Sequence, residues 1–451
     1  MLIGRKHRFT GLMISLLLAV IVSGCHGEPG PKTVAEPTSI APPASPGAEV
    51  PASPKTVIVY ARGMDETDAT AHMIEAYNNQ SEGIQVVYQE LPYDPDTRYG
   101  QVSAVMAAGG GDYDVFDGSF VWTAEFAVKG YIMALDSLIA WDGIDTSLYM
   151  PGAMAAVTYE DQIWGLPQSV SAGVLYFRND IVDTPPQTWD ELVEQASDLQ
   201  NAEDGLWGYV MAGRPSEDLV SEAAEFIHTY GGQIMDEKGR IVLDSPQSIA
   251  GLNQMREVFN SGIAPDTYTK LSESDTAAEF IRGDAVFMRN WSNNWSIANQ
   301  SNSAVKDHFA IAPLPAGDAG SKTALRGVAA MLSAQSHYPE EAWDFIKFAA
   351  GFEGQKMNAL EASKFPTLTA VLADTEVIAA NPHFTSESFV AAITDAVPFP
   401  ATPYHKELSY IMQDELYSFL VNKQEAEAAA TNIKRRFLAI ATPPTEHPSA
   451  Y

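Results

Sequence analysis

The chain has 451 residues, of which 46% are hydrophobic and 10% aromatic, and its formal net charge at pH 7 is −31. A protein this acidic repels the phosphate backbone of nucleic acids, so nucleic-acid binding is excluded. The length allows one large or two medium domains, and the single cysteine, Cys25, excludes an internal disulfide bond.

The N-terminal segment has the features of a secretory signal. A basic stretch, Arg5–Arg8, precedes an apolar run of 12 residues, Gly11–Val22. Such a run is too short to span a bilayer as a helix but suits the hydrophobic region of a signal peptide. It leads into Val-Ser-Gly before Cys25, which resembles the lipobox of bacterial lipoproteins, where the cysteine is lipidated. We predict a signal peptide over 1–24, a lipid anchor on Cys25 and a location outside the cytoplasm, at the cell surface or in the periplasm.

The segment after the cysteine is rich in proline. His26–Pro54 holds eight prolines in 29 residues and almost no large apolar side chain. A segment of this composition cannot bury enough surface to fold. We therefore predict that residues 25–54 form a disordered tether between the membrane anchor and the folded part.

The remaining chain alternates between strand and helix patterns. Thr56–Gly63 and the stretch GIQVVYQEL are predicted strands, and a predicted helix, ATAHMIEAYNNQ, lies between them. A further strand is expected at YDVFDG. Amphipathic helices are predicted to begin at Thr188, Ser245 and Pro339, and the segment from His405 onward predicts one or two long helices. This alternation indicates an α/β fold with a parallel layer.

No enzyme signature is present in the sequence. HExxH, CxxC, G-x-S-x-G and P-loop motifs are absent, and the nine histidines lack metal-ligand spacing. The stretch GGGDYDVFDG misses the spacing of a calcium loop. Acidic pairs such as Asp65–Glu66 would suit a glycosidase, but 58 acidic residues make such pairs expected by chance. We predict a protein that is not an enzyme and needs no cofactor or metal; a secreted glycoside hydrolase is the minor alternative.

The stretch RNWSNNWS, Arg289–Ser296, spells Asn-Trp-Ser twice. Each triplet is an N-glycosylation acceptor motif. Alternatively, Trp291 and Trp295 share one face of a helix, because they are four residues apart. Tryptophan rings near amide and carboxyl groups suit sugars, although packing in the core is the alternative for any single ring. We predict a helix from about Asn290 with Trp291 toward a ligand, and we leave Trp295 open between ligand and core.

Four stretches, in this order and spacing, resemble one family. They are WGLPQSVSAGVLYFRNDIV, AAEFIRGDAVFMRNWSNNWSIAN, FAIAPLPAGDAGSKTALRGVAAMLSAQSHYPEEAWDFIKF and TPYHKELSYIMQDELYSFL. The chain is similar over about residues 57–438 to the solute-binding lipoproteins of bacterial ABC sugar importers, particularly the trehalose/maltose-binding branch.

The resemblance implies the two-lobed fold of periplasmic binding proteins, an α/β fold with a ligand cleft between lobes that close about hinge crossings. The N-lobe would comprise residues 55–169 plus 304–365, and the C-lobe residues 170–303 plus 366–451. Such a protein would be a monomer that binds a sugar or glycoside and presents it to the ABC permease. A lipoprotein sensor of the same fold, docking to a membrane receptor, is the alternative function.

The candidate pocket departs from the trehalose/maltose branch at four positions. Ser119 and Ser171 match positions that are usually acidic, Val328 stands where a ligand-facing tryptophan is expected, and Phe399 stands where an arginine is expected. These changes indicate a smaller or less hydroxylated ligand, such as a glycoside with an apolar aglycone, a glycosylated polyol or a monosaccharide. The other candidate ligand-binding residues are Glu66, Arg98, Glu217, Trp291, Arg326 and Tyr404.

Overall fold

The computed structural model describes residues 54–64, 67–236 and 238–441. The predicted signal peptide, the tether, Cys25 and Glu66 lie outside the described residues. Within the described ranges, no helix combines the length and the apolar character needed to cross a membrane.

Strands of the described chain fall into one large sheet and one small hairpin. The strands are β1 (Thr56–Gly63), β2 (Ile84–Leu91), β3 (Val115–Ser119), β4 (Thr158–Tyr159), β5 (Gln162–Ile163), β6 (Leu166–Phe177), β7 (Trp207–Val210), β8 (Ala285–Trp291), β9 (Ala310–Ala312), β10 (Ala324–Leu332), β11 (Phe365–Pro366) and β12 (Val397–Pro398). The large sheet has the order β2-β1-β3-β10-β6-β8-β7, with β9 and β11 paired to β6 and β12 paired to β10, while β4 and β5 form the hairpin.

Helices cover the sheet. The α-helices are α1 (Ala69–Gln80), α2 (Pro95–Ala107), α3 (Thr123–Val128), α4 (Asp136–Asp142), α5 (Pro151–Ala156), α6 (Trp189–Leu199), α7 (Glu217–Thr229), α8 (Pro246–Asn260), α9 (Glu273–Ile281), α10 (Trp295–Ala298), α11 (Pro339–Ala349), α12 (Phe352–Ala362), α13 (Thr369–Leu372), α14 (Thr375–Ala380), α15 (Glu387–Thr394), α16 (His405–Leu420) and α17 (Ala426–Ala441). Short 3-10 turns connect several of them.

The predicted strand–helix–strand unit at the start is confirmed. β1 and β2 pair in parallel, with Thr56 opposite Ile84, and α1 connects them. The predicted helix starts are also correct. Thr188 and Ser245 cap α6 and α8 by accepting hydrogen bonds from backbone N–H groups three residues ahead, and α11 begins at Pro339. The side chains of Thr188 and Ser245 accept hydrogen bonds from backbone N–H groups that would otherwise be unpaired in the first turn. The local sequence therefore determines where these two helices begin.

The strand β6 is shared by the two halves of the sheet. Its residues up to Ala172 pair antiparallel with β10, and its residues from Gly173 pair antiparallel with β8. The predicted lobe boundary between residues 169 and 170 falls inside this strand and stays a prediction. The strand β9, assigned to the N-lobe in that prediction, pairs with Leu175–Phe177 beyond the boundary.

Three apolar clusters form the core. One lies where α1 and α11 cover the first strands and includes Ile58, Tyr60 and Phe345. A second lies among α7, α8, α16 and α17 at the other end of the sheet and includes Leu219 and Leu252. The third fills the middle of the molecule beneath β3, β6 and β10. The apolar helix faces are therefore buried on both sides of the sheet, which leaves the ends of its central strands to form a site.

Candidate functional site

A cleft opens at the centre of the molecule, where β1, β3, β6, β8 and β10 come together. It consists of two adjoining cavities, which we call the first chamber, of about 150 Å³, and the second chamber, of about 40 Å³. The residues that line both chambers are Arg98, Ser119, Arg326 and Gly327. The two chambers therefore meet at these four residues.

Hydrogen-bonding side chains form part of the lining of the first chamber. Ser119, Ser169, Ser171 and Asn293 line it, and the Ser171 hydroxyl donates to the Asn293 carbonyl oxygen at 3.0 Å. No described residue accepts a hydrogen bond from the NH₂ group of Asn293, so this group can donate to a ligand. The chamber therefore offers neutral donors on several sides, as recognition of hydroxyl or carboxyl oxygens requires.

A buried ion pair forms the floor beneath β1 and β3. The Nε atom of Arg62 lies 3.1 Å from an oxygen of Asp117, and both side chains are almost fully buried. Gln168 donates to Asp117 at 2.7 Å and Tyr60 donates to it through its hydroxyl. With its charge neutralised and its oxygens bonded, Asp117 is a fixed part of the wall, since a buried carboxylate is stable only when it is paired.

Arg326, on β10, holds two carboxylates from neighbouring helices. Its Nη1 atom lies 3.0 Å from Glu273 on α9 and 3.5 Å from Asp218 on α7. Burial raises the pKa of Asp218, the nearby carboxylate of Glu273 raises it further, and Arg326 and Arg289 oppose these effects, giving a pKa of about 7. Burial and the neighbouring carboxylate of Glu273 therefore outweigh the two arginines and favour the protonated form of Asp218.

Trp291, at the end of β8, lines the second chamber but is buried, with 1% of its surface exposed. Its indole N–H donates to Asp218 at 3.4 Å. The guanidinium carbons of Arg289 and Arg326 lie 4.2 Å and 5.1 Å from its ring centroid. Two cation–π contacts and a hydrogen bond therefore fix the ring in the wall of the cleft. Ligand stacking on Trp291 stays a prediction.

Behind Trp291 lies a buried ion cluster that supports it. Arg289 binds Glu225 through two hydrogen bonds, of 2.8 and 2.5 Å, and lies 3.7 Å from Glu222. Burial disfavours the charge of Arg289, but Glu225 and Glu222 outweigh it and raise its pKa. Gly173 makes room for the cluster, because a Cβ atom at residue 173 would lie 2.0 Å from an oxygen of Glu225. A side chain at this point of β6 would break the pair.

One wall of the second chamber is apolar. Phe120, Val121, Leu325, Val397 and Phe399 form it. Gly327 permits close approach of this wall to β10, since a Cβ atom there would lie 2.1 Å from the Phe120 ring. The cleft therefore presents polar groups in one chamber and an apolar wall in the other.

The opposite wall of the second chamber carries the start of α7 and α16. Glu217 accepts hydrogen bonds from Ser409 at 2.6 Å and contacts His405 at 3.0 Å. Burial opposes ionisation of Glu217, but His405, Lys406 and Ser409 outweigh it and lower its pKa to about 2. Lys406 also pairs with Asp96 at the start of α2. Glu217 is therefore an ionised carboxylate bound by protein groups.

The structure brings most of the predicted site residues together. Those that line the cleft are Arg98, Ser119, Ser171, Glu217, Trp291, Arg326, Val328 and Phe399. Tyr404 does not line it: the side chain is 37% exposed and its ring packs against Phe437 at 6.3 Å. Glu66 is outside the described residues. The roles of these residues in ligand binding stay predictions.

The prediction of a helix from Asn290 was wrong. Asn290 and Trp291 are the last residues of β8, and the helix α10 begins only at Trp295, after a 3-10 turn. Pairing of Trp291 with Gly173 on β6 holds the strand in place, which local spacing does not reveal. Trp295 packs on the rings of His383 and Phe309, with centroids 4.2 and 4.7 Å away.

The two Asn-Trp-Ser motifs are internal to the fold. Asn290 is 1% exposed and Asn294 is 2% exposed. The Asn290 amide donates to the carbonyl of Glu273 and the hydroxyl of Thr276, and its carbonyl oxygen accepts from Asn294. A glycan on either asparagine is incompatible with this folded structure.

Sequence reasoning missed several residues of the cleft. They are Arg62, Tyr93, Asp117, Asp218, Glu273, Asn293 and Lys406. Arg62 gave one usable signal, since it is the charged residue of an otherwise uncharged predicted strand, and a charged residue that is buried must be paired. Within the described ranges, no group of three or more metal-ligating side chains is placed to hold a metal ion.

Comparison with sequence families gives one match that covers most of the chain. Residues 64–356 match the model of a family described as bacterial extracellular solute-binding protein. A probable ABC transporter-binding protein of Deinococcus radiodurans is 28% identical over 365 residues, covering 78% of this chain and 85% of that protein. A maltotriose-binding protein of Pyrococcus abyssi is 26% identical over 332 residues, covering 72% of this chain and 69% of that protein.

Solved structures give the same result at the level of the fold. Maltose-bound T. maritima MalE3 superposes with a TM-score of 0.79 and 29% sequence identity, covering 85% of this chain and all of that one. A solute-binding protein of Agrobacterium radiobacter in complex with ribitol superposes with a TM-score of 0.75 at 19% identity, covering 85% of this chain and 98% of that one. This likeness confirms the predicted two-lobed α/β fold with a cleft.

Proposed function

The chain belongs to the family of bacterial extracellular solute-binding proteins, which bind rather than catalyse, and we propose that it is the substrate-binding subunit of an ABC importer. In this proposal it captures a carbohydrate or glycoside in the cleft, closes by hinge motion and presents the ligand to the permease. A lipid on Cys25 would keep it at the outer face of the cell membrane, as the Val-Ser-Gly-Cys sequence suggests.

The observation that carries the proposal is the composition of the cleft. Its first chamber offers serine hydroxyls and the Asn293 amide, and its second chamber adds an apolar wall that includes Phe399. Sugars present hydroxyls at their edges and C–H groups on their faces, so they need such a mixed surface. The maltose-bound structure with a TM-score of 0.79 supports a ligand of the carbohydrate class.

The proposed ligand differs from trehalose and maltose. Ser119, Ser171, Val328 and Phe399 all line the cleft, so the four unusual positions stand where they would contact a ligand. Hydrogen bonds to charged groups contribute about 1.5–3 kcal/mol each, so serines in place of carboxylates hold disaccharide hydroxyls less tightly. The apolar wall beside Phe399 suits a glycoside with an apolar aglycone, while a glycosylated polyol or a monosaccharide would fill the first chamber alone.

Two experiments test the proposal. Native mass spectrometry of freshly purified protein should find a co-purified small molecule whose mass fits a carbohydrate or glycoside. Calorimetric titration with trehalose and maltose should give weak binding or none. Sub-micromolar affinity for either disaccharide would contradict the altered pocket and leave the importer function standing, whereas a bound amino acid or peptide would contradict the carbohydrate class itself.

Hinge closure has its own measurement. Small-angle X-ray scattering should give a smaller radius of gyration with the identified ligand than after the ligand is removed by partial unfolding and refolding. The same radius of gyration with and without the ligand would contradict hinge closure. Metabolic labelling with palmitate, compared between the full chain and Cys25→Ser, tests the lipid anchor separately.

A further inference from the structure

Arg98, on α2, is held in place by backbone carbonyl groups, and no described carboxylate lies within ion-pair distance of it. Its Nη1 atom donates hydrogen bonds to the carbonyl oxygens of Tyr93 at 3.0 Å and Pro92 at 3.3 Å. The guanidinium also packs against Gly63, where a Cβ atom would lie 2.4 Å from Nη1. Within the described part of the chain, no carboxylate forms an ion pair with Arg98, and its Nε and Nη2 atoms donate no hydrogen bond.

Arg326, which lines both chambers together with Arg98, is by contrast paired. Arg326 is bound to Glu273 at 3.0 Å and lies 3.5 Å from Asp218. Burial lowers the pKa of Arg98 and the positive charge of Arg326 lowers it further; Asp117 and Glu273 act in the opposite direction but only in part, which leaves a pKa of about 10. An anion in contact with the guanidinium would stabilise its charged form further.

The position of Arg98 lets it reach a ligand in either chamber. Together with Arg326 and Ser119 it lines both chambers, so these three side chains surround the junction between them. The Nε and Nη2 atoms of an arginine form a planar fork that matches the two oxygens of a carboxylate. Ser119 lines both chambers as well and adds a hydroxyl group at their junction.

We propose that the ligand carries a carboxylate, and that Arg98 binds this group at the junction of the chambers, beside Arg326 and Ser119. The inference rests on the proposed function and narrows it to acidic carbohydrates: a uronic acid, or a glycoside of a hydroxy acid. A single charge is favoured, because Arg98 is the cleft arginine for which the described residues supply no carboxylate within ion-pair distance. A phosphate, with about −1.5 to −2 charges, would add excess negative charge near Glu273 and Asp218.

Matched pairs of ligands test the inference. The pairs are methyl α-glucoside with methyl α-glucuronide, methyl α-galactoside with methyl α-galacturonide, and the glucosides of glycerol and of glyceric acid. In calorimetric titrations we expect the acid of at least one pair to bind about 10- to 100-fold more tightly than its neutral partner. Sodium chloride should weaken binding of the acid more than binding of the neutral sugar, since salt screens the interaction between charges.

Variants of the protein assign the preference to a residue. Arg98→Gln should bind acid and neutral partner equally, and Arg98→Lys should retain part of the preference, because the charge is kept while the fork is lost. Arg435→Gln, at an exposed arginine of α17, is the matched control and should keep the full preference. Melting temperatures of all three variants show that each is folded before affinities are compared.

The outcomes separate this inference from the function on which it rests. Neutral sugars that bind as tightly as their acids would overturn the inference and leave a carbohydrate importer. An acid preference that persists in Arg98→Gln would also overturn it, because the carboxylate would then bind elsewhere. Failure of every carbohydrate, acidic or neutral, would overturn the proposed function itself.

Discussion

Arg326 and Trp291 contact each other where the two chambers meet, with the guanidinium carbon 5.1 Å from the centroid of the indole ring. Arg289 approaches the same ring at 4.2 Å, and Asp218 accepts a hydrogen bond from the indole N–H. Trp291 therefore joins the buried ion cluster to the cleft. Any change to this ring should alter both stability and the shape of the second chamber.

Trp291→Ala should lower the free energy of unfolding by about 3–5 kcal/mol, because a buried indole leaves a cavity and two arginines lose their contacts. Urea denaturation measures this loss. Trp141→Ala is the control, since Trp141 is 88% exposed, and its effect should stay within about 0.5 kcal/mol. A Trp291→Ala protein as stable as the parent would show that the ring is not part of the packed wall.

Gly63→Ala should weaken ligand binding while leaving stability nearly unchanged. The new methyl group would meet Arg98 Nη1 at 2.4 Å, and the arginine, as a flexible side chain, would move away. Loss of one charge-assisted contact corresponds to about a 10-fold lower affinity. Gly83→Ala is the matched control, because nothing lies within 4 Å of a Cβ atom there. Equal affinities in the two variants would count against a positioned Arg98.

Lys406→Met should favour the open form of the protein. Lys406, at the start of α16, pairs with Asp96 on α2 and lies 4.9 Å from the centroid of the Tyr99 ring. If the predicted lobe boundaries are correct, α2 and α16 belong to different lobes, and these contacts would hold the closed form together. Their loss should cost about 1 kcal/mol or more of closure, visible as a larger radius of gyration in X-ray scattering.

The control for this experiment is Lys434→Met. Lys434 pairs with Asp244 at 2.6 Å, but both side chains are more than a third exposed and both belong to the predicted C-lobe. Its removal should leave the scattering curve unchanged. If both variants gave the same curve as the parent, the contacts of Lys406 would not govern closure.

Asp218→Asn should remove part of the dependence of stability on pH. Burial, together with Glu273, raises the pKa of Asp218 from 3.8 to about 7. The folded state then holds a proton that the unfolded state releases, so this group makes stability fall as pH rises from about 4 to 7. The melting temperature of the parent minus that of the variant should therefore be larger at pH 5 than at pH 7.5.

An exposed carboxylate provides the comparison for that measurement. Asp266 is exposed, and Asp266→Asn makes the same chemical change outside the buried cluster. If the melting temperature of the parent minus that of Asp218→Asn rose with pH, the prediction would be wrong, and Asp218 would be ionised in the folded state.

Local sequence chemistry was enough to predict much of the fold. Thr188 and Ser245 cap helices through their own side chains, and the β-branched residues of Thr56–Gly63 form a strand wherever a sheet accepts them. The site was less predictable. Trp291 has its partners Asp218 and Arg326 far away in sequence, so its strand conformation and its burial come from tertiary pairing.

The candidate residues were found by resemblance to a family, and their partners were not. Arg98 was predicted to contact a ligand, but the position of its guanidinium depends on the carbonyls of Pro92 and Tyr93 and on the absence of a side chain at Gly63. Tyr404 was predicted from the same resemblance and lies outside the cleft lining. The sequence therefore predicts which residues lie near the site. Which of their charges are paired with one another can be seen only in the three-dimensional structure.

The pairing of β10 between β3 and β6 has a consequence for synthesis and export. Both strands that flank β10 precede it by more than a hundred residues in the chain, and the edge of each strand that faces β10 has no partner until Ala324–Leu332 has emerged, although β3 also pairs with β1 and β6 with β8. A nascent chain that is shorter leaves two apolar strand edges unpaired, and contacts so distant in sequence form slowly. We expect chains that end before residue 324 to be digested rapidly in limited proteolysis, so that the protein stays unfolded until most of it has been made.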